Sequence, residues 1–214
     1  MGVTQTDPVA TRVRLSAAQR RESILATATE VFAEHGYRRG KVSAIAERLG
    51  VSEPLVFQNF GTKAALFRAV LDRVATTACA ALSASTARGG SVSELLTIVL
   101  APAHIEALHA PGALGALLAQ AGALTADPDV GEAARGTIGR VATSLAELLA
   151  RGQESSDVRR DLDPVAGAWW LLSLLSARTF RTAISSDPAL LESQLAAMTV
   201  HLLTVPQDAI DHTA

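Results

Sequence analysis

The sequence predicts an all-α fold, and two observations carry that prediction. Hydrophobic residues make up 49% of the 214-residue chain but aromatic residues only 4%, so much of the apolar content is alanine and leucine, which favour helices. Apolar residues also recur three and four positions apart in successive segments, and glycine or an Asp-Pro pair separates many of these segments. We therefore expect helices packed on helices.

The first predicted helix runs from Ser23 to His35 and ends at Gly36. Ile24, Ala28, Val31 and Phe32 fall on one stripe of it, which is the pattern of a helix with a single buried face. Residues 1–16 lack any such period and are predicted to be a disordered arm. The two arginines of this arm, Arg12 and Arg14, either reach an adjacent minor groove or belong to an unstructured tail.

Two short helices follow and form a helix-turn-helix. The first, Val42 to Leu49, has its apolar residues at helical spacing and is closed by Gly50, where a left-handed residue can end a helix. The second begins at Glu53, with Ser52 as a predicted N-cap and a proline in the first turn. Helix, glycine-containing turn and second helix are the parts of a helix-turn-helix.

The outward face of the second short helix is not explained by folding alone. Val56 and Phe60 share one side, whereas Pro54, Leu55 and Gln58 lie on the other. An apolar outward face beside an amide is unusual in water but suits the DNA major groove, where apolar groups meet thymine methyls and glutamine pairs with adenine. This helix is therefore predicted to be a DNA recognition helix.

A longer ordered set of residues surrounds this unit, within residues 20–71. It comprises Arg21-Glu22-Ser23-Ile24-Leu25, Val31-Phe32-Ala33-Glu34-His35-Gly36-Tyr37, Ile45-Ala46, Leu49-Gly50-Val51-Ser52, Phe57, Phe60 and Lys63. The set resembles the N-terminal domain of TetR-family transcriptional regulators, and several features in fixed order are more specific than any lone motif. The resemblance implies a three-helix DNA-binding domain followed by a divergent all-α ligand-binding and dimerisation domain.

The predicted organisation is thus an arm at 1–16, a helix-turn-helix DNA-binding domain at 17–62 and a C-terminal ligand-binding and dimerisation domain at 63–214. The sequence departs from the family pattern at Gly40-Lys41, where a Thr/Ser pair is usual, at Phe57 in place of Tyr, and at Asn59 in place of His. The resemblance also implies that Lys63 contacts the DNA backbone. The predicted DNA contacts are Lys41, Ser43, Ser52, Glu53, Pro54, Leu55, Phe57, Gln58, Asn59 and Lys63.

Charge and cysteine content agree with this division. Residues 1–75 contain 11 Lys/Arg and 7 Asp/Glu, and residues 76–214 contain 8 and 14, so the basic excess lies on the side predicted to meet phosphate. A mildly basic solvated surface is the alternative. The single Cys79 excludes an intramolecular disulfide and indicates a reducing compartment. With no apolar run long enough to cross a bilayer, we expect a cytoplasmic protein that does not bind membrane.

Six further helices are predicted after residue 62. The first, Lys63 to Ser85, would link the two domains, and the second is capped by Ser91 with Glu94 and is kinked or split at Pro102. Asp-Pro pairs, in which aspartate caps and proline opens a helix, precede three of them. The predicted ranges are 63–85, 91–109, 113–124, 127–151, 165–183 and 188–204, with a loop at 152–160.

The last two predicted helices, 165–183 and 188–204, are apolar on nearly every side. A helix of that kind must be covered on nearly every side, and within one chain the two can cover each other on one side only. A symmetric partner is the simplest cover for the rest, so a homodimer is predicted. The resemblance implies the same arrangement, a four-helix bundle with two helices from each protomer.

Residues with the spacing of an enzyme or metal site are missing from the sequence. There is no glycine-rich phosphate loop, no zinc-spaced Cys/His cluster and no nucleophile elbow, so no catalytic residue, metal or cofactor is predicted. Ligand candidates are His104, Trp169 and Arg178. Each candidate also has a structural interpretation. His104 and His109 would be ordinary surface histidines, and Trp169 and Trp170 would be core or interface residues. Arg178 is either an anchor for an anionic ligand or half of an interface ion pair.

The leading functional hypothesis is a dimeric repressor that binds a palindromic double-stranded DNA operator and is released by an unidentified small-molecule effector. The alternative is a ligandless architectural protein that coats DNA with the same fold. A third hypothesis, an enzyme built on the all-α domain, has no visible catalytic residue. An enclosed cavity with a few polar groups would favour the first hypothesis, and a filled core the second.

Overall fold

The computed structural model describes residues 16–87, 90–110 and 113–205, and within these ranges the chain forms eleven α-helices. The all-α prediction is confirmed for this part of the chain. The helices are α1 Ala17–Arg39, α2 Val42–Leu49, α3 Glu53–Phe60, α4 Lys63–Ala87, α5 Val92–Leu100, α6 Pro102–His109, α7 Leu114–Ala123, α8 Gly131–Glu154, α9 Pro164–Ser176, α10 Arg178–Ile184 and α11 Pro188–Leu203.

The first helix starts earlier than predicted. Ser16 is its N-cap, and a reciprocal capping box joins Ser16 to Gln19, so the helix begins six residues before the predicted Ser23. At Gly36 the backbone leaves helical geometry (φ 75°, ψ 166°), and a last turn then extends to Arg39. The predicted stop at Gly36 is therefore an interruption within α1. Residues 1–15 of the predicted arm lie outside the described residues.

The bounds of the helix-turn-helix are confirmed. Gly50 closes α2 in the left-handed conformation (φ 66°), and Ser52 occupies the N-cap position of α3. One detail was wrong: the Ser52 side chain makes no capping hydrogen bond. The predicted start of the linking helix is also confirmed, because the Thr62 hydroxyl accepts from the Ala65 backbone N–H at 3.0 Å.

Most of the helix starts and breaks that proline and aspartate residues predict later in the chain are confirmed. Pro102 splits the predicted 91–109 helix into α5 and α6. The Ser91 hydroxyl accepts from the Ser93 N–H, and no capping box with Glu94 forms. Asp163 and Asp187 cap α9 and α11, accepting from backbone N–H groups three residues on at 2.8 and 3.0 Å.

Three boundaries differ from the prediction. Asp127 caps only a turn, so α8 begins at Gly131. The same helix continues to Glu154, and Gly152 is buried inside it rather than opening a loop; a Cβ there would lie 2.5 Å from Val158. The predicted 165–183 helix is divided at Ala177 into α9 and α10.

Two clusters of buried side chains fill the interior. The first joins α1–α4 to Leu117 and Ala121 of α7 and to Val130 and Ala134 near the start of α8. The second lies between α5, α6, α8, α9 and α11. Because the first cluster includes residues beyond position 62, α7 and α8 help to hold the helix-turn-helix; the domain division at residue 62 stays a prediction.

None of the helices in the described ranges is long and apolar enough to cross a membrane. In the same part of the chain, no three His, Cys, Asp or Glu side chains gather in a way that could hold a metal ion.

Candidate nucleic-acid interface and cavity

The two sides of α3 are buried and exposed as the sequence predicts, except that Leu55, predicted to face outward, is half-buried. Val56 and Phe60 are buried beneath the helix, whereas Pro54 and Gln58 are exposed and Phe57 is 40% exposed. Among the other predicted contacts, Ser52, Glu53, Lys41 and Ser43 are exposed, and Leu55, Asn59 and Lys63 are half-buried. A short helix thus presents an apolar surface and one long amide side chain outward.

Two of the predicted contacts already have partners inside the protein. The Asn59 side-chain amide donates to the carbonyl of Leu55 at 2.8 Å, which uses one of its donors. Lys63 Nζ donates to the carbonyl of Arg38 at 3.1 Å and lies 5.0 Å from the centre of the Tyr37 ring. Partial burial lowers the pKa of Lys63. The Lys63 ammonium therefore ties the start of α4 to the end of α1.

Two basic side chains that were absent from the predicted contacts, His35 and Arg39, lie beside α2. Together with the predicted contact Lys41 and with Ala44, they line a shallow depression between the end of α1 and the start of α2. All three basic residues are exposed. Only their placement in space reveals the group, because His35 and Arg39 belong to α1, which the sequence assigns a supporting role.

The position of α3 is fixed from α1. The guanidinium of Arg21 donates to the carbonyl of Asn59 and lies 4.0 Å from the centre of the Phe60 ring, in the geometry of a cation–π contact. Arg21 therefore holds the C-terminal end of α3. The sequence pattern includes Arg21, but the pattern does not predict that role.

The position of α2 is fixed by an ion pair with α1. Arg48 donates to both carboxylate oxygens of Glu34, at 3.0 and 2.9 Å, and Glu30 lies 3.7 Å away. The hydrogen bond from Arg48 lowers the pKa of the Glu34 carboxyl. Two-pronged pairs of this kind also fix orientation, so α2 is oriented relative to the supporting helix.

A cavity of about 390 Å³ lies between α4, α6, α7, α8 and α9. Its walls are predominantly apolar, and leucine, alanine and glycine residues of α7 form one side. The lining residues are Thr77, Ala78, Ala81, Leu108, His109, Leu114, Gly115, Leu118, Ala119, Gly122, Ile138, Trp169, Leu172, Ser173, Leu175 and Ser176.

The cavity includes one of the three predicted ligand residues. Trp169 lines it, whereas His104 is exposed and, like Arg178, does not line it. His109, predicted to be a surface residue, is half-buried in the wall: its ring nitrogens lie 2.8 Å from the carbonyl oxygen of Ile105 and 3.1 Å from that of Leu175. Because His109 is five residues after His104, the two side chains lie on different sides of α6, and His109 faces α9.

The buried ion pair within the protomer involves Arg181 rather than Arg178. Arg178 Nε is buried without a hydrogen-bond partner, but Arg181 of α10 bonds Glu192 of α11 at 2.7 and 3.0 Å. Glu192 is 4% exposed. Arg181 also donates to the carbonyl of Leu174 at 2.8 Å, next to the break between α9 and α10, so it joins all three helices.

The last three helices leave a broad apolar face in solvent. Among the described residues, eight of the ten exposed large apolar side chains belong to α9, α10 or α11. They are Val165, Trp169, Trp170, Phe180, Ile184, Leu190, Met198 and Leu202.

Residues 24–70 match the family model described as bacterial regulatory proteins, tetR family. Among curated proteins, the HTH-type transcriptional repressor Rv1474c of Mycobacterium tuberculosis is 29% identical over 178 residues, covering 83% of this chain and 90% of the relative. The HTH-type transcriptional activator FasR of Mycolicibacterium smegmatis is 43% identical over 60 residues, but that match spans 28% of this chain and 27% of FasR.

Solved structures share the fold at low sequence identity. Reduced NemR of Escherichia coli superposes with a TM-score of 0.72 at 19% identity, covering 87% of this chain and 98% of NemR. A transcriptional regulator from Saccharomonospora viridis in complex with choline gives a TM-score of 0.69 at 20% identity, covering 88% of this chain and all of that one (100%). At these sequence identities the comparison shows a shared fold and nothing more specific.

Proposed function

Because the chain belongs to the TetR family of transcriptional regulators, we propose that it is a homodimeric repressor that binds a palindromic DNA operator and is released by a small-molecule effector. The observation that carries the proposal is the surface of α3, which exposes Pro54, Phe57 and Gln58 while two side chains anchor it from below. The longer curated match is to a repressor, which favours repression over activation. Family membership sets aside the enzyme hypothesis.

In this proposal α3 enters the major groove and the residues around it bind the backbone. Gln58 pairs with an adenine edge, and the rings of Pro54 and Phe57 meet thymine methyls. Lys41, Ser43 and Lys63 bind phosphates, joined by Arg39 from the basic depression beside α2. Phosphate contacts of this kind set the register of the protein on DNA without reading its sequence.

The exposed apolar face of α9–α11 supports a dimer. Large contiguous apolar surfaces on soluble proteins mark interaction sites, and a two-fold partner would cover the same face on both copies. Two recognition helices related in this way read half-sites about 34–36 Å apart, one turn of DNA. A palindromic operator follows from that symmetry.

The cavity supports effector release over the ligandless alternative. A space of about 390 Å³ falls within the range of roughly 300–1,000 Å³ typical of small-molecule sites. An effector lowers operator affinity only if it binds the DNA-incompetent arrangement better than the competent one. Because α4 both lines the cavity and begins beside α3, a shift of α4 would change the spacing of the two recognition helices.

DNA selection from random oligonucleotides tests the proposal. We expect an inverted repeat whose half-site centres are about one helical turn apart, bound by a dimer in sedimentation. Enrichment without any preferred sequence would instead support the architectural alternative. Recovery of a single, unrepeated half-site by a monomer would contradict the dimer.

A further inference from the structure

We propose that the effector is an uncharged, predominantly apolar small molecule that occupies the cavity between α4, α6, α7, α8 and α9. The inference rests on the proposed function, since it names the chemistry of the ligand that would release the operator. It is carried by the side chains that line the cavity and by the hydrogen bonds that these side chains already make.

No Lys, Arg, Asp or Glu is among the described residues that line the cavity. The polar side chains in the wall are the hydroxyls of Thr77, Ser173 and Ser176 and the ring of His109. An ionised ligand group that enters the apolar part of the cavity would lose water there and meet no opposite charge, which is unfavourable. A hydroxyl or carbonyl group of a neutral ligand can be matched by the hydroxyls present.

His109 does not change this conclusion, because both of its ring nitrogens face backbone carbonyls. They lie 2.8 Å from the oxygen of Ile105 and 3.1 Å from the oxygen of Leu175. A neutral imidazole carries one N–H, and one of these two carbonyls already accepts it. An anionic ligand would have to break that hydrogen bond to bind the ring.

The arginines of α10 do not line the cavity. Arg181 is bound to Glu192 and to the carbonyl of Leu174, and Arg178 is not a cavity residue. Trp169 offers an aromatic face that could attract a cation, but no carboxylate lies in the described wall to complete a cation site. The ring of Trp169 is better matched by an apolar ligand.

Matched compounds with different charge test the inference. The probes are 1-decanol, decanoate and decylamine, which share a flexible chain, and 1-adamantanemethanol with its carboxylate and amine analogues, which share a compact skeleton. Binding is read from the fluorescence of Trp169 in a Trp170→Phe variant, since Trp170 does not line the cavity. We expect at least one alcohol to bind about tenfold or more tightly than both of its charged analogues.

A cavity-filling variant locates the binding. A Cβ at Gly122, in the cavity wall, would meet nothing within 4 Å, and the same is true at Gly136 of α8, which does not line the cavity. Gly122→Leu should weaken alcohol binding by about tenfold or more, because its side chain enters the space that the ligand needs. Gly136→Leu is the matched control and should bind the alcohol like the parent protein.

The outcomes separate the ligand class from the proposed function. Equal or tighter binding of a carboxylate or amine, or no binding of either alcohol up to its solubility limit, overturns the ligand class. So does alcohol binding that Gly122→Leu leaves unchanged. The alcohol that binds is then added to the protein–operator complex at constant salt. Binding of the alcohol without release of the operator supports the proposed ligand class and contradicts effector release. Release of the operator by a charged analogue supports effector release and contradicts the proposed ligand class.

Discussion

Gln120 of α7 lies directly against Gly36, at the interruption of α1. Its carboxamide oxygen is buried without a hydrogen-bond partner and lies 3.3 Å from the position that a Cβ on Gly36 would take. Its amide nitrogen lies 3.5 Å from the carbonyl oxygen of Ala33. Because Leu118 and Ala119 of the same helix line the cavity, this contact joins the cavity wall to the helix that supports α2 and α3.

Replacing Gly36 should destabilise the protein more than replacing Gly50. With φ 75° and ψ 166°, Gly36 occupies a backbone region that is nearly restricted to glycine, so Gly36→Asn should cost on the order of 1–3 kcal/mol. Gly50 is in the ordinary left-handed region with open space around it, which asparagine tolerates. Denaturant unfolding of Gly36→Asn and Gly50→Asn measures the difference, and equal losses would show that the interruption of α1 is not constrained.

Replacing Gln120 by leucine should separate stability from effector response. The buried carboxamide oxygen costs about 1–3 kcal/mol when unpaired, and the bond from the amide nitrogen to the Ala33 carbonyl is long, at 3.5 Å. Gln120→Leu should therefore leave the free energy of unfolding unchanged or raise it. Operator affinity without ligand should also persist. The release of operator by a cavity ligand should weaken, because the polar contact between α7 and α1 is lost. Full release by the variant would show that coupling runs elsewhere, through α4 for example.

Local signals predicted the helix starts, but only where tertiary packing agreed with them. The same Asp-Pro pair occurs before α9, before α11 and at Asp127, and in all three cases the carboxylate accepts backbone N–H groups. After Asp127, however, a turn precedes the helix, and Gly131 packs so closely that a Cβ there would lie 2.7 Å from the Thr125 carbonyl oxygen. Sequence spacing does not contain that contact.

The outward face of α3 was predictable because it lies on one short helix, whereas the cavity was not. Exposure of Gln58 and burial of Val56 follow from helical periodicity alone. The cavity is formed where five helices meet, so its residues share no period, and of the predicted ligand residues only Trp169 lines it. The Arg181–Glu192 pair was missed for a related reason, since its partners lie on two helices joined by a turn.

A charge placed on the exposed apolar face should dissociate the proposed dimer. Met198 on α11 is 66% exposed, so Met198→Glu adds a charge without disturbing the protomer core. Leu175 would be a poor site for this test because it packs in the second core cluster and lines the cavity. Ile98→Glu on α5, where the side chain is 61% exposed, is the matched control. Sedimentation at micromolar concentration should show monomers for Met198→Glu only; a wild-type monomer would refute the dimer.

Acid should weaken the attachment of α2 to α1. The pKa of Glu34 is lowered in the folded protein by its bond to Arg48, so its contribution is present above the ordinary glutamate pKa of about 4.3 and is lost as pH falls through the lower folded value. Thermal unfolding is measured from neutral pH down to the pH range below the ordinary glutamate pKa. Over this range, the Glu34→Gln variant should lose less stability than the wild type as the pH falls. Glu47→Gln, at an exposed glutamate of α2, is the control and should follow the wild type.

Substitutions at Gln58 and Lys63 should separate base reading from backbone binding. Gln58→Ala should weaken the selected operator by about 1–3 kcal/mol and relax preference at one base pair per half-site, because it removes a major-groove contact. Lys63→Ala should weaken all sequences alike and reduce the salt dependence by roughly one unit of slope per protomer. Because Lys63 also donates to the Arg38 carbonyl, the free energy of unfolding of the Lys63→Ala variant is measured in parallel. If Lys63→Ala shifts base preference and Gln58→Ala does not, α3 does not read the major groove.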